Sequence, residues 1–519
     1  MQEEFAALQR NKTWDLVPFS EDMNIIGSKW VFRVKYKSDG SVLKYKARLV
    51  TKGFLQTPGV DYAETFIPVV KASTIRVLFS LAVIFGWDIQ QVDINNAFLN
   101  GDLEETVYMT QPEGFVSSRY PSHVCKLKKS LYGLKQASRA WYVKLKSAFQ
   151  NWGFTRVTSD ASLLIKRTAS YVLFALVYVD DILITRSDAA ALELCIRDLD
   201  STFALKTLGS VNYFLGFEAL RNSAGIYLTQ AKYTMDLLKK ADMYDCKPCA
   251  TPATSAFSLT NEGELFSNPS LYRTLIGSFQ YLTYTRLDIA FVVNRLSQFL
   301  ASPKVQHWVA CKRLLRYLKG IVGYGLFFSP SPGSLALSVY TDADHEGCKV
   351  TRRSTSGFCA FLGCNLIVWG SKKQTVVARS VGEAEYRAIA QGVTELLWLK
   401  SLFSELGFLD SIPSKPIVWT DNLAAKSMAE NSVFHGRTKH IELDIHFIRE
   451  KVEKDEIEIR YVPTEHQIAD VFTKGLSQDR FQFLCNKLGL IFSPMHKGGS
   501  SEESSLRGNV KASCGQLMV

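Results

Sequence analysis

The alternation of apolar and polar residues along the chain predicts several β-hairpins and a set of amphipathic helices. From Trp30 to Val50, apolar and basic residues alternate on both sides of a Ser-Asp-Gly-Ser turn, a pattern typical of a hairpin. The run Tyr171–Val179 is apolar throughout, and a second apolar run follows it after two aspartates, which predicts an interior hairpin. Apolar residues spaced three and four apart predict helices, including one from Gly382 to Leu406.

These predicted elements, with the Pro-, Ser- and Gly-rich breaks between them, divide the 519 residues into four segments. Residues 1–256 carry most of the predicted hairpins, and residues 257–334 are mostly helical. Residues 335–478 mix strands and helices, whereas residues 479–519 lack periodicity and are expected to be largely disordered. The predicted fold class is therefore α+β with several domains.

Composition adds a bias towards an anionic partner. The formal charge is +11 and the pI is about 9.0, which suits a nucleic acid but is also compatible with ordinary solubility. The acidic start and the absence of an apolar segment after it predict an intracellular protein without a membrane partner, with cytoplasm and nucleus left open. The uncharged run Ser354–Ser371 is broken by polar residues, so two strands around a turn are favoured over a membrane span. Scattered cysteines, including the Cys246 and Cys249 pair, fit reduced structural thiols.

The first hairpin is the most basic part of the chain. Between Lys29 and Lys52 there are eight basic residues and one acid, Asp39. The alternation places apolar residues on one face and basic residues, such as Arg33 and Lys46, on the other. A solvated outer face would normally mix charges of both signs, so phosphate binding is favoured over simple solvation.

Three carboxylates in the first half could form a metal site. Asp180 and Asp181 stand between two apolar strands, where an ordinary turn and a metal site are both plausible readings. Asp93 ends the strand-like stretch "DIQQVDI" and supplies a third carboxylate. If the three meet, two divalent cations could assist in-line phosphoryl transfer from a nucleotide to a primer hydroxyl.

The second half of the chain contains a separate set of acidic residues that could also bind metal ions. Asp342 and Asp421 each end an apolar strand, and Asp470 lies in a predicted helix. In the helix from Gly382, Glu385 lies on the apolar stripe with Ile389, Val393 and Leu396, whereas Glu383 shares a polar face with Arg387, Gln391 and Glu395. A carboxylate on an apolar stripe is costly without a partner, so Glu385 is the predicted metal ligand.

The motifs "QVDINNAFLNG", "SLYGLKQASRAWY" and "YVDDILIT", with "KYKARLVTKG" and "DYAETFIPVVK", resemble the reverse transcriptase of copia-type long-terminal-repeat retrotransposons. The resemblance implies a right-hand polymerase with fingers, palm and thumb. It also implies that Asp93, Asp180 and Asp181 bind two Mg²⁺ ions, with Mn²⁺ as a substitute, and that the ligands are an RNA template, a DNA primer and deoxynucleoside triphosphates.

The same resemblance implies roles for residues around the nucleotide. Phe98 matches the aromatic residue that screens the sugar 2′ position, although the pattern alone is also that of a core Phe. Gln136 matches a glutamine of the nucleotide pocket, and Lys46 and Arg48 lie in the segment that holds the triphosphate.

In the third segment, "YTDADHEG", "EAEYRA", "WTDN" and "HQIAD" resemble a copia-type ribonuclease H. The resemblance implies a mixed sheet flanked by helices, two Mg²⁺ ions held by Asp342, Glu385, Asp421 and Asp470, and hydrolysis of RNA in RNA–DNA hybrids. His440 is a candidate proton shuttle or a structural hydrogen-bonding residue.

The predicted function is an RNA-directed DNA polymerase with ribonuclease H activity. The alternative is a decayed or host-retained copy that only binds nucleic acid. It stays open because no segment resembles a capsid protein, protease or integrase, which indicates a fragment or a stand-alone copy. The departures Ser138, Arg186 and His345 from the family's usual Pro, Gly and Trp leave the metal ligands intact. The bulky Arg186, five residues beyond Asp181, could disturb the return strand of the hairpin and weaken polymerase activity. The sequence does not indicate an oligomeric state.

Overall fold

The computed structural model describes residues 1–36, 41–330, 335–431 and 441–494. Within these ranges the helices are α1 (Gln2–Arg10), α2 (Ala72–Ile84), α3 (Ala137–Asn151), α4 (Ala189–Thr202), α5 (Ala231–Lys240), α6 (Pro269–Leu282), α7 (Ala290–Ser297), α8 (Val305–Gly320), α9 (Val381–Leu406), α10 (Leu423–Glu430), α11 (Glu442–Glu453) and α12 (Gln478–Lys487).

The strands in the same ranges are β1 (Trp14–Val17), β2 (Ile25–Ile26), β3 (Ser28–Tyr36), β4 (Val42–Thr51), β5 (Ile89–Ile94), β6 (Tyr108–Met109), β7 (Val124–Leu127), β8 (Thr155–Arg156), β9 (Leu163–Arg167), β10 (Val172–Tyr178), β11 (Asp181–Arg186), β12 (Leu205–Ser210), β13 (Tyr213–Phe214), β14 (Phe217–Asn222), β15 (Gly225–Thr229), β16 (Tyr324–Phe328), β17 (Leu337–Asp344), β18 (Thr355–Leu362), β19 (Asn365–Lys373), β20 (Ile417–Thr420), β21 (Glu458–Tyr461) and β22 (Leu490–Phe492).

The chain forms two compact units, and the predicted α+β class is confirmed. The first unit comprises Met1–Val70 and Asp88–Ser210, and the second comprises Lys71–Trp87 and the chain from Val211 onwards. The division into four segments stays a prediction. None of the helices in the described ranges combines the length and the apolar character that a membrane span requires.

The first unit is built around a six-stranded sheet with the strand order β12-β5-β11-β10-β9-β8. One face of this sheet packs against α3 and α4, because alternate residues of the central strands are apolar and join Trp141, Phe149 and Leu199 in one buried cluster. The predicted hairpin around the two aspartates is β10 paired antiparallel with β11. A second, four-stranded sheet has the order β1-β7-β6-β2.

The basic hairpin forms a separate two-stranded ribbon of β3 and β4, as predicted. Its register pairs Phe32 with Ala47 and Arg33 with Lys46, so apolar and basic side chains occupy opposite faces. The apolar face is covered near the base of the ribbon, where Leu49 is buried, but not further along it: Phe32 is 67% exposed and Tyr45 is 73% exposed. This ribbon therefore presents aromatic as well as cationic groups to solvent.

The second unit contains two five-stranded sheets. One has the order β13-β14-β15-β16-β22. The other has the order β19-β18-β17-β20-β21, with β17, β18 and β19 antiparallel and β17, β20 and β21 parallel. Helix α9 packs on β17 and β18, and the absence of a side chain at Gly392 allows the close approach, since a Cβ there would lie 2.5 Å from Thr341. The predicted mixed sheet flanked by helices is confirmed, as are the two strands predicted within Ser354–Ser371.

Candidate active sites

The first candidate site lies on the face of the six-stranded sheet that α3 and α4 leave uncovered. Asp93 on β5 is the direct cross-strand partner of Asp181 on β11. Direct partners in an antiparallel pair project from the same face, whereas Val92 and Ile182 point into the helix-covered core. The alternation of the two strands therefore brings these two carboxylates to the same side, beside the turn that carries Asp180.

The turn between β10 and β11 is held in place by hydrogen bonds from two other elements. The indole Nε1–H of Trp141 donates to the carbonyl oxygen of Val179 at 2.7 Å, and the backbone N–H of Ile94 donates to the carbonyl oxygen of Asp180 at 2.8 Å. Val179 adopts a left-handed φ of 54°, which is unfavourable for a β-branched residue. The fixed, strained turn presents Asp180 and Asp181 in a defined position.

Asp181 is in an environment that disfavours its charge. Burial raises the pKa of its carboxyl to about 6, and the negative charges of Asp180 and Asp93 add to the rise. The side-chain amide of Gln91 opposes it by donating a hydrogen bond to Asp181 Oδ1 at 3.3 Å. Sequence reasoning missed Gln91, although the strand alternation that selected Asp93 also places Gln91 on the same face.

The four residues predicted to bind the nucleotide lie in different settings. Phe98, in the 3₁₀ turn after β5, packs edge-on against Tyr132 at 4.8 Å between ring centroids, and the Arg48 guanidinium lies over the same Tyr132 ring at 4.5 Å. Gln136 is buried, and its amide group accepts from Gln56 at 3.0 Å and donates to the carbonyl oxygen of Asp61 at 2.8 Å. Lys46 lies on the basic face of the ribbon. The structure thus links Arg48 and Phe98 through one ring, and the nucleotide-binding roles stay predictions.

Arg186 ends β11 in a regular pairing with Leu173 of β10. Strand β11 shows no bulge along its pairing with β10 or with β5. The Arg186 side chain therefore leaves the strand pairing of the aspartate hairpin regular.

The second candidate site gathers acids from three elements of the five-stranded mixed sheet and its helix. Asp342 in β17, Glu385 near the start of α9 and Asp421 just after β20 each offer a carboxylate oxygen, and the three oxygens lie within 4.8 Å of one another. Among the described residues, this is the group of three acids whose oxygens converge so closely. The oxygens of Asp93, Asp180 and Asp181 do not all lie within that distance of one another. The parallel pairing of β17 with β20 explains the meeting, since the carboxyl ends of parallel strands lie at one edge.

Glu385 is the most perturbed of these acids. It is only 5% exposed, and its Oε2 atom is buried without a hydrogen-bond partner. Burial, and then the negative charges of Asp342 and Asp421, raise its pKa to about 9. Burial also raises the pKa of Asp342, to about 6, even though Lys474 opposes the rise.

Glu383, the other candidate on α9, has a different role. Its carboxylate accepts a hydrogen bond from the backbone N–H of Arg379 at 2.7 Å and forms an ion pair with Arg387 at 3.1 Å. It therefore stabilises the first turn of α9 and is not one of the converging carboxylates. Glu383 is nevertheless only 4% exposed, so the predicted polar face of α9 is covered at this position.

Asp470 lies in a 3₁₀ helix, Ile468–Phe472, rather than in an α-helix. Its Oδ1 atom pairs with Lys474 at 2.8 Å and its Oδ2 atom with Arg480 at 3.4 Å. Lys474 also contacts Asp342 Oδ1 at 3.2 Å. Asp470 is thus linked to Asp342 through an ammonium group. His440 lies outside the described residues.

Two polar residues of the same C-terminal segment orient Asp421, and sequence reasoning missed both. The Thr464 hydroxyl donates to Asp421 Oδ2 at 3.0 Å, and the Gln467 amide donates to Asp421 Oδ1 at 3.4 Å. Gln467 is completely buried and also donates to the carbonyl oxygen of Thr341 at 2.9 Å. Their position in the "PTEHQIAD" stretch carries no periodic signal that would identify them.

The residues of the second site fit a divalent cation. Three convergent carboxylates are the donor type that Mg²⁺ prefers, and the buried Oε2 of Glu385 lacks a protein partner. Gathering three negative charges in a largely buried place is costly unless a cation neutralises them.

This cost leads to a stability prediction for α9. The pKa of Glu385 in the folded chain lies above its ordinary value of 4.5, so folding favours the protonated carboxyl. The folded chain therefore becomes less stable as the pH rises from 4.5 through about 9. At pH 8 without divalent cations, Glu385→Gln is expected to raise the free energy of unfolding by about 0.5–2 kcal/mol. Urea unfolding in EDTA measures this difference.

The matched control is Glu383→Gln, two residues earlier on the same helix. This change weakens the ion pair with Arg387 and is expected to lower stability under the same conditions. Equal destabilisation by both substitutions would contradict the assigned environment of Glu385.

The comparisons with known proteins agree on the class of the chain. The family model described as reverse transcriptase (RNA-dependent DNA polymerase) matches residues 11–255. The retrovirus-related Pol polyprotein from transposon RE2 of Arabidopsis thaliana is 46% identical over 94% of this chain and 34% of its own length. A putative transposon Ty5-1 protein of Saccharomyces cerevisiae is 31% identical over 59% of this chain and 100% of its own length. The chain belongs to the copia-type retrotransposon Pol family.

Membership in this Pol family is confirmed, and the chain carries its reverse transcriptase domain. A further Pol polyprotein, from transposon TNT 1-94 of Nicotiana tabacum, is 38% identical over 94% of this chain and 37% of its own length. The chain thus spans about a third of the length of these Pol polyproteins. A solved structure of the foamy viral protease-reverse transcriptase in complex with dsDNA has 12% identity and a TM-score of 0.48 over 89% of this chain and 82% of that chain.

Proposed function

We propose that this chain is an RNA-directed DNA polymerase that also hydrolyses the RNA strand of RNA–DNA hybrids. Its substrates in this proposal are deoxynucleoside triphosphates, a DNA primer on an RNA template, and the hybrid that polymerisation produces. The reverse transcriptase domain supports the first activity, and the acid cluster of the mixed sheet supports the second.

The observation that carries the proposal is the convergence of Asp342, Glu385 and Asp421 with a buried, unpartnered Glu385 oxygen. A purely structural role would pair this oxygen with a hydrogen-bond donor, because an orphaned buried carboxylate lowers stability. The chain therefore retains an arrangement that is useful for holding cations and costly otherwise.

In the proposed polymerase site, the chain's own residues position the reacting groups. Asp93 and Asp181 project from one sheet face, the fixed turn holds Asp180 beside them, and Gln91 orients Asp181. Bound Mg²⁺ would activate the primer 3′ hydroxyl and stabilise the charge on the phosphates. The basic face of the β3–β4 ribbon, with Lys46 and Arg48, supplies cationic groups for the triphosphate.

In the proposed nuclease site, Asp342, Glu385 and Asp421 would hold the cation, and Thr464 and Gln467 fix the orientation of Asp421. Without a cation, the raised pKa keeps the Glu385 carboxyl protonated at neutral pH. Cation binding should therefore release a proton from this carboxyl, so that metal affinity rises with pH.

The test is the extension of a labelled DNA primer on an RNA template with Mg²⁺, and the cleavage of a labelled RNA strand in a hybrid. The proposal requires both products from the full chain. A chain that binds the primer–template duplex but produces neither product would instead be a nucleic-acid-binding remnant.

A further inference from the structure

The acids of the second candidate site do not form a single symmetric group. Asp342, Glu385 and Asp421 converge within 4.8 Å, and this set can hold one cation. Asp470 lies outside the set, and both of its carboxylate oxygens pair with cationic side chains of the C-terminal segment. The described residues thus offer a cluster of converging carboxylates, in which the Oε2 atom of Glu385 has no hydrogen-bond partner and Asp342 contacts Lys474, and one further carboxylate, Asp470, that is paired at both oxygens.

The ammonium group of Lys474 lies between Asp342 and Asp470. Its Nζ atom is 3.2 Å from Asp342 Oδ1 and 2.8 Å from Asp470 Oδ1. The other oxygens of the two carboxylates are engaged elsewhere, because Asp342 Oδ2 accepts a hydrogen bond from the Thr473 hydroxyl and Asp470 Oδ2 contacts Arg480. A cation held by both carboxylates would therefore need the Oδ1 atoms that Lys474 contacts. The Lys474 ammonium and a metal cation cannot contact these two oxygens at the same time, because their positive charges repel and they compete for the same lone pairs.

Lys474 has a route by which it can leave. Its side chain is 39% exposed, whereas those of Asp342 and Asp470 are 1% and 6% exposed. The ammonium can therefore move into solvent without opening the core, while Arg480 keeps a contact with Asp470 Oδ2 at 3.4 Å. The Arg480 guanidinium also donates to the carbonyl oxygen of Thr464 at 2.6 Å, which anchors it independently of Asp470.

We infer that Lys474 is a built-in competitor for the second cation of the nuclease site. A cation at Asp342, Glu385 and Asp421 binds directly, whereas a cation that bridges Asp342 and Asp470 binds only when the Lys474 ammonium leaves. The inference rests on the proposed nuclease function and adds an order of binding to it. Until the second cation arrives, the Lys474 ammonium pairs with both carboxylates.

Counting bound Mn²⁺ by the electron paramagnetic resonance signal of the free ion tests this inference without using activity. The full chain is titrated at fixed pH, with Asp180→Asn in every sample to simplify the polymerase site. Lys474→Met removes the charge and keeps much of the side chain's bulk. The weakest resolved Mn²⁺ site is expected to become about 5–150-fold tighter in Lys474→Met, which is the range typical of coupled sites.

Two control variants separate charge removal at this site from general effects. Lys474→Arg keeps a cation and should bind Mn²⁺ like the parent chain. Lys415→Met removes a surface lysine that pairs with Asp455, on the same unit but away from the acid cluster, and should also leave the titration unchanged. Circular dichroism of each variant in excess Mn²⁺ checks folding, and Lys474→Gln serves as a second neutral variant if Lys474→Met does not fold.

The outcomes distinguish the inference from the function on which it rests. Identical titrations of the parent chain and both neutral variants would overturn the role of Lys474 while leaving the nuclease site in place. Adding Glu385→Gln should remove one Mn²⁺ per chain. If it removes none, the acid cluster is not a cation site, and both proposals fail.

Discussion

Glu385→Gln is expected to lower the rate of hybrid cleavage by more than about 100-fold. Loss of residues that only support metal ligands typically costs about 10–100-fold, and Glu385 is proposed to bind the cation itself. The amide is nearly isosteric but carries no charge, so the cluster with Asp342 and Asp421 would hold a cation weakly. A cleavage assay on an RNA–DNA hybrid with saturating Mg²⁺ measures the effect.

Glu383→Gln is the control for this prediction as well. Glu383 pairs with Arg387 and contacts the backbone N–H of Arg379, so its loss should affect the start of α9 rather than the chemistry. We expect the cleavage rate to stay within a few-fold of the parent, at a temperature where both variants are folded. Cleavage that survives Glu385→Gln but not Glu383→Gln would reverse the assignment.

Asp93→Asn and Asp180→Asn are each expected to reduce primer extension on an RNA template by more than about 100-fold, for the same reason. Asp93 and Asp181 occupy opposed positions on one sheet face, and the turn that carries Asp180 is fixed by the contact from Trp141 to Val179. Extension at saturating nucleotide and Mg²⁺ measures the loss.

Asp188→Asn provides the control on the same segment. Asp188 caps α4 by accepting from the backbone N–H of Ala191 at 2.9 Å, and Asn caps helices about as well as Asp. Extension should be unchanged. If Asp93→Asn or Asp180→Asn extended primers as fast as Asp188→Asn, the polymerase site would lie elsewhere.

Local periodicity was sufficient to predict several features of the two sites. The apolar runs around Asp180 and Asp181 predicted the β10–β11 hairpin, and the phase of α9 separated Glu385 from Glu383. Both conclusions depend on which face of a strand or helix a residue occupies, and this is a property of neighbouring residues alone.

Other features depend on contacts between distant parts of the chain. Lys474 and Gln467 act on Asp342 and Asp421 because the segment after β21 folds back onto β17 and β20. Helix α2 belongs to the second unit although the sequence on both sides of Lys71–Trp87 belongs to the first. The exposure of Phe32 was also unpredictable, because alternation defines an apolar face but not whether another layer covers it.

The central claim is that one chain carries two separate acidic sites with different reactions. The most direct test follows both strands in a single reaction, with a primer and an RNA template that carry different fluorescent labels. We predict that the parent chain lengthens the primer and shortens the RNA, that Asp180→Asn shortens the RNA of a preformed hybrid without lengthening the primer, and that Glu385→Gln lengthens the primer without shortening the RNA. The claim would be contradicted if either folded variant lost both activities, or if either variant kept both.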